Sequence, residues 1–175
     1  LRQTTRAKRR DELSETLREL TKELDAVSAK ARVFRAMERD FESYQKSVRL
    51  VMQEAQRGKL PNVHGPVSKL IRTDDKYTLA IEIALGGAMQ NIVVDNEQDS
   101  KAGIAFLKRT GGGRATFLAL SMVKGRKLKE TGLEKCRGYV GIASELVEFK
   151  PAYQGVIDDL LGRIVIVQDI DCAIA

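Results

Sequence analysis

The stretch YTLAIEIALGGAMQNIVVDNE, residues 77–97, decides the fold. Its first half spaces apolar residues as a helix does, a glycine pair follows, and an unbroken Ile-Val-Val then has the character of a buried strand. A glycine loop that cradles phosphate lies between a strand and the start of the next helix, where unpaired N–H groups point outward. Gly86 and Gly87 stand in the opposite order, after the last apolar turn of a helix and before a strand. That is the place of a left-handed C-cap. The pair therefore reads as punctuation, and the stretch as helix, stop, strand.

Working outward, VSKLI (67–71) reads as a strand, DKYTLAIEIAL (75–85) as a helix and QNIVV (90–94) as a buried strand. QDSKAGIAFLKR (98–109) reads as a helix, Gly111–Gly113 with Arg114 as a loose turn, and ATFLAL (115–120) as a third strand. Asp95 is expected to cap the second helix rather than act as an acid. Lys108 and Arg109 in its last turn suit the helix dipole. Further on, SELVEFKPAYQGVIDDLLGRIVIVQD (144–169) repeats the first unit. A shift of 76 places Ser68 on Ser144, Leu70 on Leu146, Tyr77 on Tyr153, Ile81 on Ile157, Leu85 on Leu161 and Gly86 on Gly162. The fold class expected is mixed α/β, built on a duplicated strand-helix-strand unit.

Upstream the period changes. Apolar positions run Leu13, Leu17, Leu20, Leu24, Val27, Ala31, Phe34, Met37, Phe41, Tyr44, Val48, Val51 and Ala55, with no proline or glycine before Gly58. Spacings of four and three alternate, apart from two successive threes around Phe34, which read as a stammer. This is the narrow seam of a coiled coil. Such a helix would be on the order of 65 Å long, and its seam requires a partner helix from a second chain or from a returning segment of the same one. RGKLPNVHGP (57–66) ends it with Gly58 and two prolines.

Composition closes several alternatives. No apolar run is long enough for a membrane span and residues 1–15 lack the apolar stretch of a secretory signal, so the cytosol is the expected location. Cys136 and Cys172 stand far apart, and one histidine, His64, serves the whole chain, so a structural zinc site lacks ligands and no cofactor is implied. His64 has no evident Ser or Cys partner, Asp158 and Asp159 read as a solvated helix surface, and no GxxxxGK[ST] occurs.

Charge is unevenly distributed. Residues 1–60 carry fifteen Lys and Arg against ten Asp and Glu, whereas residues 61–175 carry fifteen against fourteen. Within the second part, Lys108, Arg109, Arg114, Lys124, Arg126, Lys127, Lys129, Lys135 and Arg137 face only Glu130 and Glu134. Together with Arg57 and Lys59 at the end of the arm, these are candidates for contact with DNA phosphates. A solvated linker is the competing reading, as a solvated helix end is for Arg2, Arg6, Lys8, Arg9 and Arg10.

A coiled-coil arm running into HGPVSKLI, YTLAIEIALGGAMQNIVVDNE, IAFLKR (104–109), GRATFLAL, GYVGIASELV and LLGRIVIVQD resembles the hinge region of the structural maintenance of chromosomes (SMC) proteins, the bacterial chromosomal type above all. The resemblance divides the chain into an arm (1–57), a junction (58–66) and a hinge domain (67–175) that stops at DCAIA, inside what the repeat makes the second helix of its second copy. It implies a dimerisation hinge that pairs two protomers, with DNA, duplex or single strand, as a further partner. It also implies a returning arm that completes the coiled coil, a nucleoid-associated location, and ATPase heads outside this chain. Ala115, Thr116, Phe117, Leu118, Ala119 and Leu120 are the expected pairing edge. The competing functions are a nucleotide-binding α/β domain with a coiled-coil appendage and a basic coiled-coil DNA-binding protein.

Overall fold

A computed structural model describes residues 2–39 and 44–174 and, within the first helix, the side chains of residues 8–10 and 12–32. The chain divides into two units, Leu1–Ser43 and Tyr44–Ala175.

The first unit is helix α1 (Arg2–Arg39). Leu13, Leu17, Leu20, Leu24 and Val27 along it are 58–68 % exposed, an apolar stripe that nothing in its own unit covers among the described residues. The side chains of Phe34 and Met37, and Phe41 entirely, lie outside the described residues.

The second unit opens with α2 (Lys46–Gln56), a separate helix whose preceding residue, Gln45, is extended. The expectation of one helix through Ala55 is corrected here. Ser47, Val48, Val51, Met52 and Glu54 are buried on α2, a stripe wider than a coiled-coil seam and of the kind that packs on a globular core. Val48 and Val51 thus belong to the compact unit, where α2 lies on β1 and α5.

Three small sheets follow. Strand β1 (Val63–Pro66) pairs antiparallel with β3 (Ile92–Val94), and β4 (Phe117–Ala119) joins β3 in parallel, giving the order β1-β3-β4. Strand β2 (Ile71–Thr73) pairs antiparallel with β6 (Val147–Phe149), and β5 (Tyr139–Ile142) with β7 (Val165–Val167). The helices are α3 (Val67–Leu70), α4 (Asp75–Leu85), α5 (Glu97–Thr110), α6 (Gln154–Leu161) and α7 (Ile170–Ile174). VSKL is therefore one helical turn and not the expected strand. The strand lies just before it, in VHGP, where a bulge between Val63 and Gly65 is accommodated by Gly65 at φ +139°.

The duplication is borne out in the element boundaries. At the shift of 76, β1 falls on β5, β2 on β6, and α4 on the 3-10 turn Pro151–Tyr153 plus α6. The core is built largely from counterpart pairs, with Val67 and Ala143, Ile81 and Ile157, and Leu85 and Leu161 in one buried cluster. Burial of each large apolar side chain contributes roughly 1.5–3 kcal/mol, so the two copies stabilise each other through this shared cluster. After the helix the copies diverge. Gly86 (φ 47°, ψ −126°) leads into a 3-10 turn to Gln90, whereas Gly162 is right-handed (φ −67°, ψ −10°). Neither is the left-handed cap expected from its position; that conformation belongs to Gly111 (φ 60°, ψ 29°) after α5.

Candidate interaction surfaces

The basic candidates fall in three places. At the end of α2, Arg57 Nη1 and Lys59 Nζ lie 3.5 and 3.4 Å from the two carboxylate oxygens of Glu54, whose side chain is 10 % exposed. Both cations are thereby engaged with a nearly buried acid. At the end of α5, Lys108 and Arg114 border a shallow groove floored by Leu107 and Gly113, and the Arg109 guanidinium lies 5.9 Å from the Phe106 ring centroid. The third place is the run after β4, where Arg126, Lys127 and Lys129 line a groove of about 620 Å³ with Glu130 and Arg163. Lys124, Lys135 and Arg137 are exposed on the same run.

Glycines set the course of that run. A Cβ on Gly155 would come 2.6 Å from Val123 O, one on Gly162 would come 2.8 Å from Arg126 O, and one on Gly125 would collide with the backbone of Gly155 and Asp159. The segment can lie against α6 only because these side chains are absent. The Leu128 N–H then donates to Gly162 O at 2.8 Å. Lys127 Nζ sits 3.9 Å from both Glu145 and Asp158 carboxylates, so Arg126, Lys129 and Arg163 carry most of the positive face. Arg163 escaped the sequence reading because it is distant in sequence from the basic run and belongs to the second repeat.

The expected pairing edge coincides with β4. Phe117, Leu118 and Ala119 register with Ile92, Val93 and Val94 on one side. On the other side no strand pairs with them among the described residues. The Phe117 ring rests over Gly103 of α5, Ala119 is buried, and Leu118 and Leu120 pack against the core. Ala115 is half-buried and Thr116 exposed.

One polar constellation was not anticipated. His64 Nε2 lies 2.7 Å from Asp95 Oδ1, and its Nδ1 lies 3.2 Å from the Tyr153 hydroxyl, with the two rings edge to face at 5.5 Å. Asp95 serves His64 and does not cap α5 as expected; the Asn96 side chain does, accepting from the N–H groups of Gln98 and Asp99 at 2.9 and 3.1 Å. The spacing of His64, Asp95 and Tyr153 in sequence carries no signal, since three different elements bring them together. Near the end, the Cys172 thiol and N–H hydrogen-bond to Asp169, which holds that carboxyl below its ordinary range and pushes the thiol up. No group of three or more His, Cys, Asp or Glu able to hold a metal occurs among the described residues, and no described helix is long and apolar enough to cross a membrane.

A duplicated α/β domain preceded by a long helix is the architecture of the hinges of SMC proteins. The family described as SMC proteins Flexible Hinge Domain matches residues 60–175, and the chain belongs to it. The chain is 40 % identical over 145 residues to the Chromosome partition protein Smc of Bacillus subtilis, covering 81 % of this chain and 12 % of that protein. It is similar to the Geobacillus stearothermophilus SMC hinge domain, solved as an asymmetric dimer, with a TM-score of 0.81 and 41 % identity over 85 % of this chain and 60 % of that one. The Pyrococcus furiosus SMC hinge domain gives a TM-score of 0.61 and 31 % identity over 69 % and 63 % of the two chains. The chain thus spans about an eighth of the curated bacterial relative and three-fifths of the Geobacillus hinge.

Proposed function

We propose that this chain joins two SMC protomers through its compact unit and holds DNA by the phosphates along residues 108–137, as part of a bacterial chromosome-partition protein. The observation that carries the pairing is the β4 edge, whose outer N–H and C=O groups meet no strand among the described residues. Such an edge can continue a sheet from one molecule into another, and the similar Geobacillus hinge is a dimer. The exposed stripe from Leu13 to Val27 supports a second partner, the returning helix of the same protein, since an apolar seam of this kind is stable only when covered. The DNA reading draws on the excess of nine Lys and Arg over two Glu in residues 108–137. Backbone contact of this kind weakens steeply as salt rises.

Light scattering over a concentration series tests the pairing. A mass that rises to a dimer, and falls back to a monomer on Phe117→Pro, which removes an N–H directed away from β3, is expected. A dimer indifferent to that substitution would remove β4 from the interface, and a monomer at every concentration would end the proposal that this segment pairs. For DNA, Lys124→Glu/Arg126→Glu/Lys129→Glu is expected to weaken oligonucleotide binding in fluorescence anisotropy and flatten its salt dependence.

A further inference from the structure

The duplication places two grooves on either side of the β2–β6 pair. Arg72 registers directly with Glu148, and these residues are counterparts at the shift of 76, so a pseudo-twofold axis passes between them. One groove, of about 600 Å³, is lined by His64, Lys69, Arg72, Lys150 and Tyr153 together with Glu148. The other, of about 480 Å³, is lined by Asp74, Lys76, Tyr77 and Glu145 together with the same Arg72 and Glu148. Lys69 is the counterpart of Glu145, Lys150 of Asp74 and Tyr153 of Tyr77. The scaffold is the same and the charge is reversed.

That reversal separates charge from packing. The fold accepts Glu145 and Asp74 where its other copy has Lys69 and Lys150, so neither lysine is required for the groove to form. The acidic groove also neutralises part of itself, because Lys76 Nζ lies 3.8 Å from Asp74 Oδ2 and 4.6 Å from the centroid of Tyr77. In the basic groove Lys69, Arg72 and Lys150 share the lining with a single acid, Glu148, and its wall is fixed: Asp95 and the Tyr153 hydroxyl hold both nitrogens of the His64 ring. Lysine and arginine converging on an open groove with a fixed polar wall match the several oxygens of a phosphate group.

We propose that the groove of His64, Lys69, Arg72 and Lys150 binds a phosphate group, and that its pseudo-symmetric counterpart excludes one, so that a phosphate ligand lies on one side of the β2–β6 pair only. The nucleic-acid form of this inference rests on the proposed DNA reading; the phosphate form does not.

The test exchanges the two grooves using residues the fold already carries. Lys69→Glu/Lys150→Asp copies the acidic groove into the basic one, and Asp74→Lys/Glu145→Lys does the reverse. Each chain, with its circular dichroism spectrum as the control for folding, is titrated with labelled single-stranded and duplex oligonucleotides by anisotropy and with inorganic phosphate by calorimetry. The first variant is expected to bind oligonucleotide about tenfold more weakly at low salt, with the slope of log affinity against log salt reduced by about two, as for two lost contacts. The second is expected to bind more tightly than the parent. Loss for inorganic phosphate as well as for oligonucleotide identifies a site for phosphate itself, and loss for oligonucleotide alone identifies a site for the backbone. If both variants bind every probe as the parent does, the inference is overturned. If Lys124→Glu/Arg126→Glu/Lys129→Glu loses DNA while the groove variants keep it, the groove falls and the DNA reading stands. If the parent binds phosphate but no oligonucleotide, and Lys69→Glu/Lys150→Asp loses the phosphate, the groove stands and the DNA reading falls.

Discussion

The Tyr153 hydroxyl lies 3.2 Å from His64 Nδ1, and this contact ties the second copy of the repeat to the first strand of the first copy. Tyr153 is 6 % exposed, and the His64 side chain 29 %. Tyr153→Phe keeps the packing and removes the hydroxyl, so a loss of about 1 kcal/mol in urea denaturation is expected. The counterpart Tyr77, which sits beside the exposed Lys76, is expected to cost less than about 0.5 kcal/mol on the same change. Equal losses would mean that the His64 contact contributes nothing particular.

Gly103 is where α5 touches the β4 edge. A Cβ there would lie 2.5–2.6 Å from two atoms of the Phe117 ring. Gly103→Ala is expected to destabilise the unit by about 1–3 kcal/mol through overpacking. Shortening the ring in a Gly103→Ala/Phe117→Leu double variant should recover part of that loss. A double-mutant cycle on thermal unfolding reads the coupling, and strict additivity would show that the ring moves aside freely.

Capping separates Asn96 from Asp95. Asn96→Ala removes the acceptor for two N–H groups at the start of α5 and is expected to cost about 1 kcal/mol. Asp95→Ala leaves that cap intact and frees the His64 ring. Its effect should therefore be lost in a His64→Ala background, while that of Asn96→Ala should persist. Chemical denaturation of the two single variants, of His64→Ala and of the two double variants distinguishes the two roles.

The Asp169–Cys172 contact makes a pH prediction. Because hydrogen bonds from the Cys172 thiol and N–H hold the Asp169 carboxyl below its ordinary range, the stabilisation of the first turn of α7 is fully present above the unfolded carboxylate value, near 3.9. It is lost as pH falls through the lower folded value. The same carboxylate raises the Cys172 thiol, so Cys172 has less thiolate than an ordinary cysteine at neutral pH. Asp169→Asn is expected to speed its alkylation by iodoacetamide, followed by peptide mass spectrometry. An unchanged rate would remove the carboxylate as the cause.

Much of the domain was legible in the sequence because its signals are local. The helix at 75–85 ends where the structure ends it, the helix read at 98–109 and the strand in QNIVV are both present, and the repeat at a shift of 76 is the true relation between the two halves. The strand in VHGP was hidden by residues that also mark turns, Gly65 and Pro66, whose role depends on pairing with β3 across the unit. The helix at 46–56 carried heptad spacing as well, and only the wider set of buried residues, Ser47 and Met52 beside Val48 and Val51, shows that it serves the core.

The sequence by itself determined the duplicated unit, the punctuation at Gly86 and the excess of cations in residues 108–137, since periodicity, glycine position and charge are properties of neighbouring residues. Tertiary structure alone decided what those residues face. It set Arg57 and Lys59 on Glu54, brought Arg163 to Arg126 and Lys129, joined His64 to Asp95 and Tyr153, and placed Lys69 and Lys150 opposite their acidic counterparts across the β2–β6 pair. Partners far apart in sequence are chosen by the packing of the two copies around one core, and local pattern carries no record of that choice.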